Sequence, residues 1–252
     1  MKKISLFTLA WASFVVHSNA ASTNFAERAI SYDPGVGFAA GFTNPAAALG
    51  APASVNPYGE PTDPFDPPYG KTQIVSIGEG GSLTVKFDDS IGNKSRNPSG
   101  IDFIIFGNSG FIITNDFDSS FNWIGAPATD GSLFANNTGQ TRVSVSRDGK
   151  RFYVLDPAPG VDGFFPTDGS GDPRLPVNPA LTAADFAGLT LDGIRALYGG
   201  SAGGTGYDIS TARDAKGKRV HLSSIKYVRI EVISGKAEID ALSAVRPVSL
   251  DD

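Results

Sequence analysis

The chain reads as an all-β protein, a β-sandwich of jelly-roll type with long loops and one-turn helices. Three observations carry that reading. Several short segments alternate apolar and polar residues with a period of two, the signature of half-buried strands. The 252 residues include 30 glycines and 17 prolines, a loop-rich composition. The only helical signals are one or two turns long, too short to cover a parallel sheet.

The elements follow in chain order. Lys2 and Lys3, the apolar stretch Ile4–Val16 and the small residues Ser18-Asn19-Ala20 form a signal peptide over 1–20. A single domain is expected over 21–252, secreted or periplasmic, with no membrane span in the mature chain. Asn44-Pro45 to Leu49-Gly50 has a capping residue, Pro at the first helical position and Gly to stop the turn. Residues 57–70 are too proline-rich for strand or helix and should lie as an ordered loop, with Tyr58, Phe65 and Tyr69 free to pack or stack.

Strands are expected at Gln73–Gly78 and Ser82–Asp88, flanking Glu79-Gly80-Gly81. Ile101–Phe106 is apolar on both faces except at Asp102, as in a central strand covered on both sides. Residues 115–140 form a long loop or ragged hairpin carrying Phe117, Phe121, Trp123 and Phe134. Thr141–Arg147 alternates with Val143 and Val145 inward, and Asp148-Gly149 turns the chain into Arg151–Leu155. Helical turns follow at Thr182–Phe186 and Leu191–Tyr198, the second ended by Gly199-Gly200. Ile225–Val245 reads as a closing hairpin turned at Ser234-Gly235. Val228, Ile230 and Val232 share one face of its first strand, and Ala237, Ile239, Ala241 and Val245 one face of its second.

Composition excludes several functions. There is no cysteine, so disulfides and thiolate metal sites are absent. The net charge of −5 argues against nucleic acid, which needs a basic surface. His17 leaves with the signal peptide, which leaves His221 alone as an imidazole base. It stands among polar neighbours with no nucleophile motif elsewhere. The loop carboxylates Asp63, Asp66, Asp116, Asp118, Asp162, Asp168 and Asp172 could serve a glycosidase, but Asp is common in such loops for turn reasons. The protein is therefore expected not to be an enzyme.

Three other aspartates lack an obvious turn or cap role: Asp102 before a central strand, Asp208 after a glycine run and Asp240 within the last strand. Asp240 can face solvent, pair with Arg229, or serve with Asp102 and Asp208 as an oxygen ligand for calcium. Asp168-Gly-Ser-Gly-Asp172 resembles a calcium loop only superficially. The loop aromatics Trp123, Phe121 and Tyr58, with Phe164 and Phe165, can stack on sugar rings or pack over the end of a sandwich.

Six blocks taken together resemble a group of exported bacterial cell-surface proteins, many of which carry a PEP-CTERM sorting signal. The blocks are GFTNPAAALGAP (41–52), GGSLTVKFD (80–88), GIDFIIFGN (100–108), VSVSRDGKRFYVL (143–155), LDGIRALYGGSAGGTGYDIS (191–210) and YVRIEVISGKAEIDALSAV (227–245). The resemblance implies a galactose-binding-like (discoidin-type) jelly roll used for carbohydrate or surface attachment, often with bound calcium. Asp102, Asp208 and Asp240 all lie in these blocks. The sequence ends at Arg246-Pro-Val-Ser-Leu-Asp-Asp252 without the sorting tail, so a released protein is expected. The expected function is a secreted, non-enzymatic module for an extracellular polysaccharide. The alternatives are an envelope or matrix protein that binds a surface protein, and a secreted carbohydrate-active enzyme.

Overall fold

The computed structural model describes residues 24–135, 139–161 and 165–246. The expected signal peptide, Asp162, Phe164 and the last six residues lie outside them. The fold is all-β. Its strands are β1 (Arg28–Asp33), β2 (Val75–Gly78), β3 (Ser82–Gly92), β4 (Phe103–Gly107), β5 (Gly110–Phe111), β6 (Ala128–Thr129), β7 (Leu133–Phe134), β8 (Thr141–Ser146), β9 (Tyr153–Leu155), β10 (Leu189–Thr190), β11 (Thr205–Tyr207), β12 (Ala212–Arg213), β13 (Ser224–Val232) and β14 (Lys236–Ala244). Six of them form one antiparallel sheet in the order β1-β3-β13-β8-β9-β12, and four form another in the order β11-β4-β14-β2. Two-stranded ladders join β5 to β7 and β6 to β10.

The main core lies between the two large sheets. The six-stranded sheet contributes Leu83, Val85, Val143, Val145, Val228 and Ile230, and the four-stranded sheet Val75, Ile77, Phe103, Ile105, Ile239 and Leu242. Each such side chain, fully buried, contributes about 1.5–3 kcal/mol. The Phe103 and Tyr207 rings stack within this core at 5.2 Å.

The four-stranded sheet is covered on its other face too. There Ile104, Phe106, Ala241 and Val245 pack with Ile101 and Ala202. A third cluster, including Phe111, Phe165, Phe186, Ile194 and Tyr198, lies under the helices α1 (Ala183–Phe186) and α2 (Leu191–Tyr198). This double covering is why Ile101–Phe106 is apolar on both faces. The helical turns stand where the capping signals put them. Asn44 Oδ1 accepts from the Ala46 amide, Asp185 Oδ2 from the Thr182 amide, and Gly199 ends α2 at φ +60°.

Two expectations fail. β13 and β14 do not form a hairpin. β13 pairs with β3 and β8, and β14 pairs with β2 and β4 in the opposite sheet. Residues 233–235 form an arch across the sandwich edge. Each strand has a full apolar face, and the arch lets both faces meet across the core. The glycine-rich connection between β2 and β3 is a second such arch. The two are bonded together, the Gly80 amide to Val232 O at 2.9 Å and the Val232 amide to Gly81 O at 3.1 Å. By contrast, the Asp148-Gly149 turn does make a hairpin, since β8 pairs with β9.

The second failure is the face assignment in β14. Ile239 is opposite Gly107 and Ala241 opposite Phe106, so Asp240 is the extra residue of a β-bulge. The bulge resets the alternation. Leu242 faces the main core, while Ala241 and Val245 turn to the outer cluster.

Candidate functional site

The aromatic residues expected to bind ligand stand on two neighbouring loops. The first is a hairpin over 112–128, which protrudes beyond β5. Its arms are bonded from the Thr114 amide to Ala128 O and from the Ile124 amide to Asp116 O. Asn115 stitches its base, donating from Nδ2 to Ile124 O and Ala126 O and accepting the Ala128 amide at 2.7 Å. Asp118 organises the tip by accepting the amides of Ser120 and Asn122, which hold its carboxyl below the usual range. Phe117 and Trp123 are bridged across this hairpin, with ring centroids 3.9 Å apart and planes at 28°. Both remain partly exposed. Phe121, at the tip, is 86% exposed with φ +62°.

The second loop carries Tyr58, which is 83% exposed and stands 6.4 Å from the Tyr69 ring. Asn56 shapes this loop. Its Oδ1 accepts the amides of Tyr58 and Glu60, and its Nδ2 donates to Asp66 Oδ2 at 2.7 Å. Asp63 Oδ1 closes a tight turn by accepting the amides of Phe65 and Asp66.

A groove of about 510 Å³ separates the two loops. Asp63, Phe65 and Asp66 line one side, and Ile113, Ala126 and Pro127 at the hairpin base line another. The first turn of α2 supplies Leu191 and Asp192. The groove thus combines apolar walls with three carboxylates, which can accept hydrogen bonds from hydroxyl groups. The sequence singled out Trp123, Phe121 and Tyr58, but gave no sign of the Phe117–Trp123 stack or of the part played by α2.

The three aspartates proposed for calcium do not share one site. Asp102 is fully buried and ties three segments together. Its Oδ1 accepts the Lys94 amide and Asn97 Nδ2, both at 2.9 Å, and its Oδ2 accepts the Ile209 amide at 3.0 Å. Burial pushes its carboxyl up to about 6 against these donors, and the neighbouring Asp208 charge adds to the rise. Asp208 is half-buried and does have a cap role, contrary to expectation. It accepts the amide and hydroxyl of Ser210, each at 2.7 Å. Asp-x-Ser was the signal that could have revealed this cap.

Asp240 lies elsewhere. Val245 bonds to the backbone of Asp102, and Asp240 is five residues back along β14, roughly 16 Å away. Nor does it face solvent or pair with Arg229. It is 2% exposed, and both its oxygens face the Ala53 amide. Arg229 instead lies over the Phe152 ring at 3.8 Å. Asp240 is therefore too far away to share a cation with Asp102 and Asp208. Among the described residues no three acidic or histidine side chains converge as a metal site. The oxygen missed in the sequence is that of Asn97. This residue is 5% exposed, and its Oδ1 is buried without a hydrogen-bond partner.

Two of the remaining loop carboxylates, Asp168 and Asp172, have structural partners. Asp168 is 1% exposed and forms a two-point pair with Arg195, and Asp172 forms one with Arg174. The superficial calcium loop is thus built of ion pairs and turns. His221 is exposed, three residues before β13. No family model matches this chain, and no curated protein does.

Proposed function

We propose that this protein is a secreted, non-catalytic binding module with a galactose-binding-like jelly roll. It holds an extracellular carbohydrate on the 112–128 hairpin and the adjoining groove. One observation carries the reading: the stacked Phe117–Trp123 pair on an exposed hairpin, with Phe121 beside it. Exposed rings offer flat apolar faces to the C–H surface of a sugar. The hairpin is already stitched by Asn115 and Asp118, so little ordering remains when ligand binds. Asp63, Asp66 and Asp192 supply acceptors for sugar hydroxyls beside an apolar wall. The net charge of −5 favours neutral or cationic polymers over anionic ones. In this reading calcium is a structural brace. Asp102 and Asp208 lie at the start of β4, and the hairpin follows its far end.

The test is co-sedimentation of the purified protein with a panel of insoluble polysaccharides, beside its Trp123→Ala variant. Retention by at least one polymer that falls in the variant supports the reading. Absence of retention on every polymer sinks it. A second reading, attachment to a surface protein, is favoured by Ile112 and Ile124, which are exposed on the same hairpin and have no evident sugar contact to make. Cross-linking to a surface protein through this hairpin, without polymer retention, would select it.

A further inference from the structure

We infer that Asn97, Asp102 and Asp208 form a site for one calcium ion that clamps the 93–100 loop to the turn at 208–210. The inference builds on the expected calcium but differs in its ligands: Asp240 is excluded and the Asn97 carbonyl oxygen is included. It does not depend on the sugar reading.

The three side chains come from separate segments that meet at the start of β4. The Asp102 amide donates to Tyr207 O at 2.8 Å, and Asp102 Oδ2 accepts from Ile209, so Asp208 is held between two contacts to the same residue. The turn over 97–100 closes the opposite side, where a Cβ on Gly100 would stand 4.0 Å from Asp208 Oδ2. Asn97 Nδ2 is anchored on Asp102 Oδ1, which leaves the amide oxygen buried beside the carboxylate with no donor to meet it.

Charge points the same way. Among the described residues, neither Asp102 nor Asp208 forms an ion pair, although two neighbouring carboxylates in a buried setting repel each other. A divalent cation removes that repulsion and gives the amide oxygen a partner. Asp102 Oδ2 and both Asp208 oxygens each accept a single hydrogen bond, so each keeps a lone pair for a metal. Two carboxylates and an amide oxygen on irregular loops suit calcium. Calcium tolerates uneven geometry and completes its six to eight ligands with carbonyls and water, whereas magnesium demands a near-ideal octahedron.

The experiment is calorimetric titration of chelator-treated protein with calcium chloride and magnesium chloride, without glycan, and thermal unfolding in the same solutions. Wild type should bind one calcium, bind magnesium at least about tenfold more weakly, and melt at a higher temperature with calcium. Asp208→Asn keeps an acceptor for the Ser210 amide and should lower calcium affinity at least about tenfold. Asn97→Ser, which shortens the ligand, is the second handle and should lower it as well. Asp240→Asn should leave it unchanged. Wild-type protein with neither binding heat nor a calcium-dependent melt overturns the inference and leaves Asp102 as a hydrogen-bonded tether only. Unchanged affinity in both Asp208→Asn and Asn97→Ser overturns it by placing the ion elsewhere.

Discussion

Asp240 and Ala53, 187 residues apart, are joined by one amide that faces both oxygens of a buried carboxyl, at 3.0 and 3.3 Å. The bulge in β14 turns Asp240 out of the main core, and the 51–66 loop covers it. Thr62 continues the tie, donating its hydroxyl to Ala53 O at 2.7 Å. A carboxyl that looked like a solvated or metal-binding group is thus the anchor for the loop that bears Tyr58 and Asp63.

That anchor should make stability fall as pH rises. Burial raises the Asp240 carboxyl well above the usual carboxylate range, and the single Ala53 amide only partly opposes this. The folded chain therefore holds this proton more tightly than the unfolded chain. The stability it contributes is complete below the unfolded value of about 4 and declines toward the folded one. Asp240→Asn keeps the shape and an acceptor for Ala53 but cannot ionise. It should stabilise the protein at neutral pH by about 1–3 kcal/mol and flatten the decline. Urea unfolding of both proteins across the pH range tests this, and parallel pH profiles would refute it.

Arg195 should be worth more than its partly exposed position implies. Burial alone would raise the Asp168 carboxyl, but the guanidinium of Arg195 and the hydroxyl and amide of Ser170 outweigh it and hold the group below its usual range. Removing the arginine leaves a charge stranded at 1% exposure. Arg195→Ala should cost about 3 kcal/mol. Arg195→Lys should restore little, since the contact uses both Nε and an Nη. Because the carboxyl is depressed, the stability it contributes is present above the unfolded value and lost as pH falls through the folded one. Urea midpoints of the two variants near pH 7 provide the check. Full rescue by lysine would show that charge alone matters.

The hairpin aromatics should affect binding and stability separately. Trp123→Ala should reduce polymer retention by about tenfold while changing stability by less than about 1 kcal/mol, because the ring is only partly buried. Phe121→Gly is the sharper case. Its φ of +62° strains a phenylalanine and suits glycine. This variant should gain up to about 1 kcal/mol and still bind less polymer. Thermal melts read beside co-sedimentation separate the two effects, and a variant that loses both together would mean the ring holds the hairpin in place.

The sandwich was legible in the sequence because the period of two reports which side of a strand is buried. Val228, Ile230 and Val232 face the core as read. The same signal cannot tell a hairpin from an arch, since both alternate identically and differ only in partners distant along the chain. β13 finds its partners in β3 and β8, and nothing near Ser234-Gly235 records that. The bulge at Asp240 hid for a related reason. Alternation is intact on either side of it, and only the adjacent pair Ala241-Leu242, which faces opposite ways from the earlier phase, marks the slip. Loop aromatics were legible as exposed groups, but Phe117–Trp123 stacking and the orphaned Asn97 oxygen arise from turns whose geometry depends on what they pack against.

The paired arches imply a position that no side chain should tolerate. Gly78 ends β2 where the β2–β3 arch begins, and a Cβ there would stand 2.1 Å from Val36 O and 2.7 Å from the Phe38 amide. Both obstacles are backbone, so no rotamer change can relieve them. The segment over 34–36 cannot withdraw freely either. The Val36 amide bonds to Glu79 O at 2.9 Å and the Gly78 amide to Pro34 O at 2.7 Å. Displacing that segment would break these bonds and pull on Gly80, which is bonded to Val232 at the β13–β14 arch. Gly78→Ala should therefore destabilise by about 3 kcal/mol or more, far above the usual cost of an alanine in a strand. Gly80→Ala makes the matched comparison. Nothing lies within 4 Å of its added Cβ, so it should suffer only the strain of φ +75°, about 1 kcal/mol. Urea melts that rank Gly80→Ala as the worse variant would show that the two arches are not locked together through this contact.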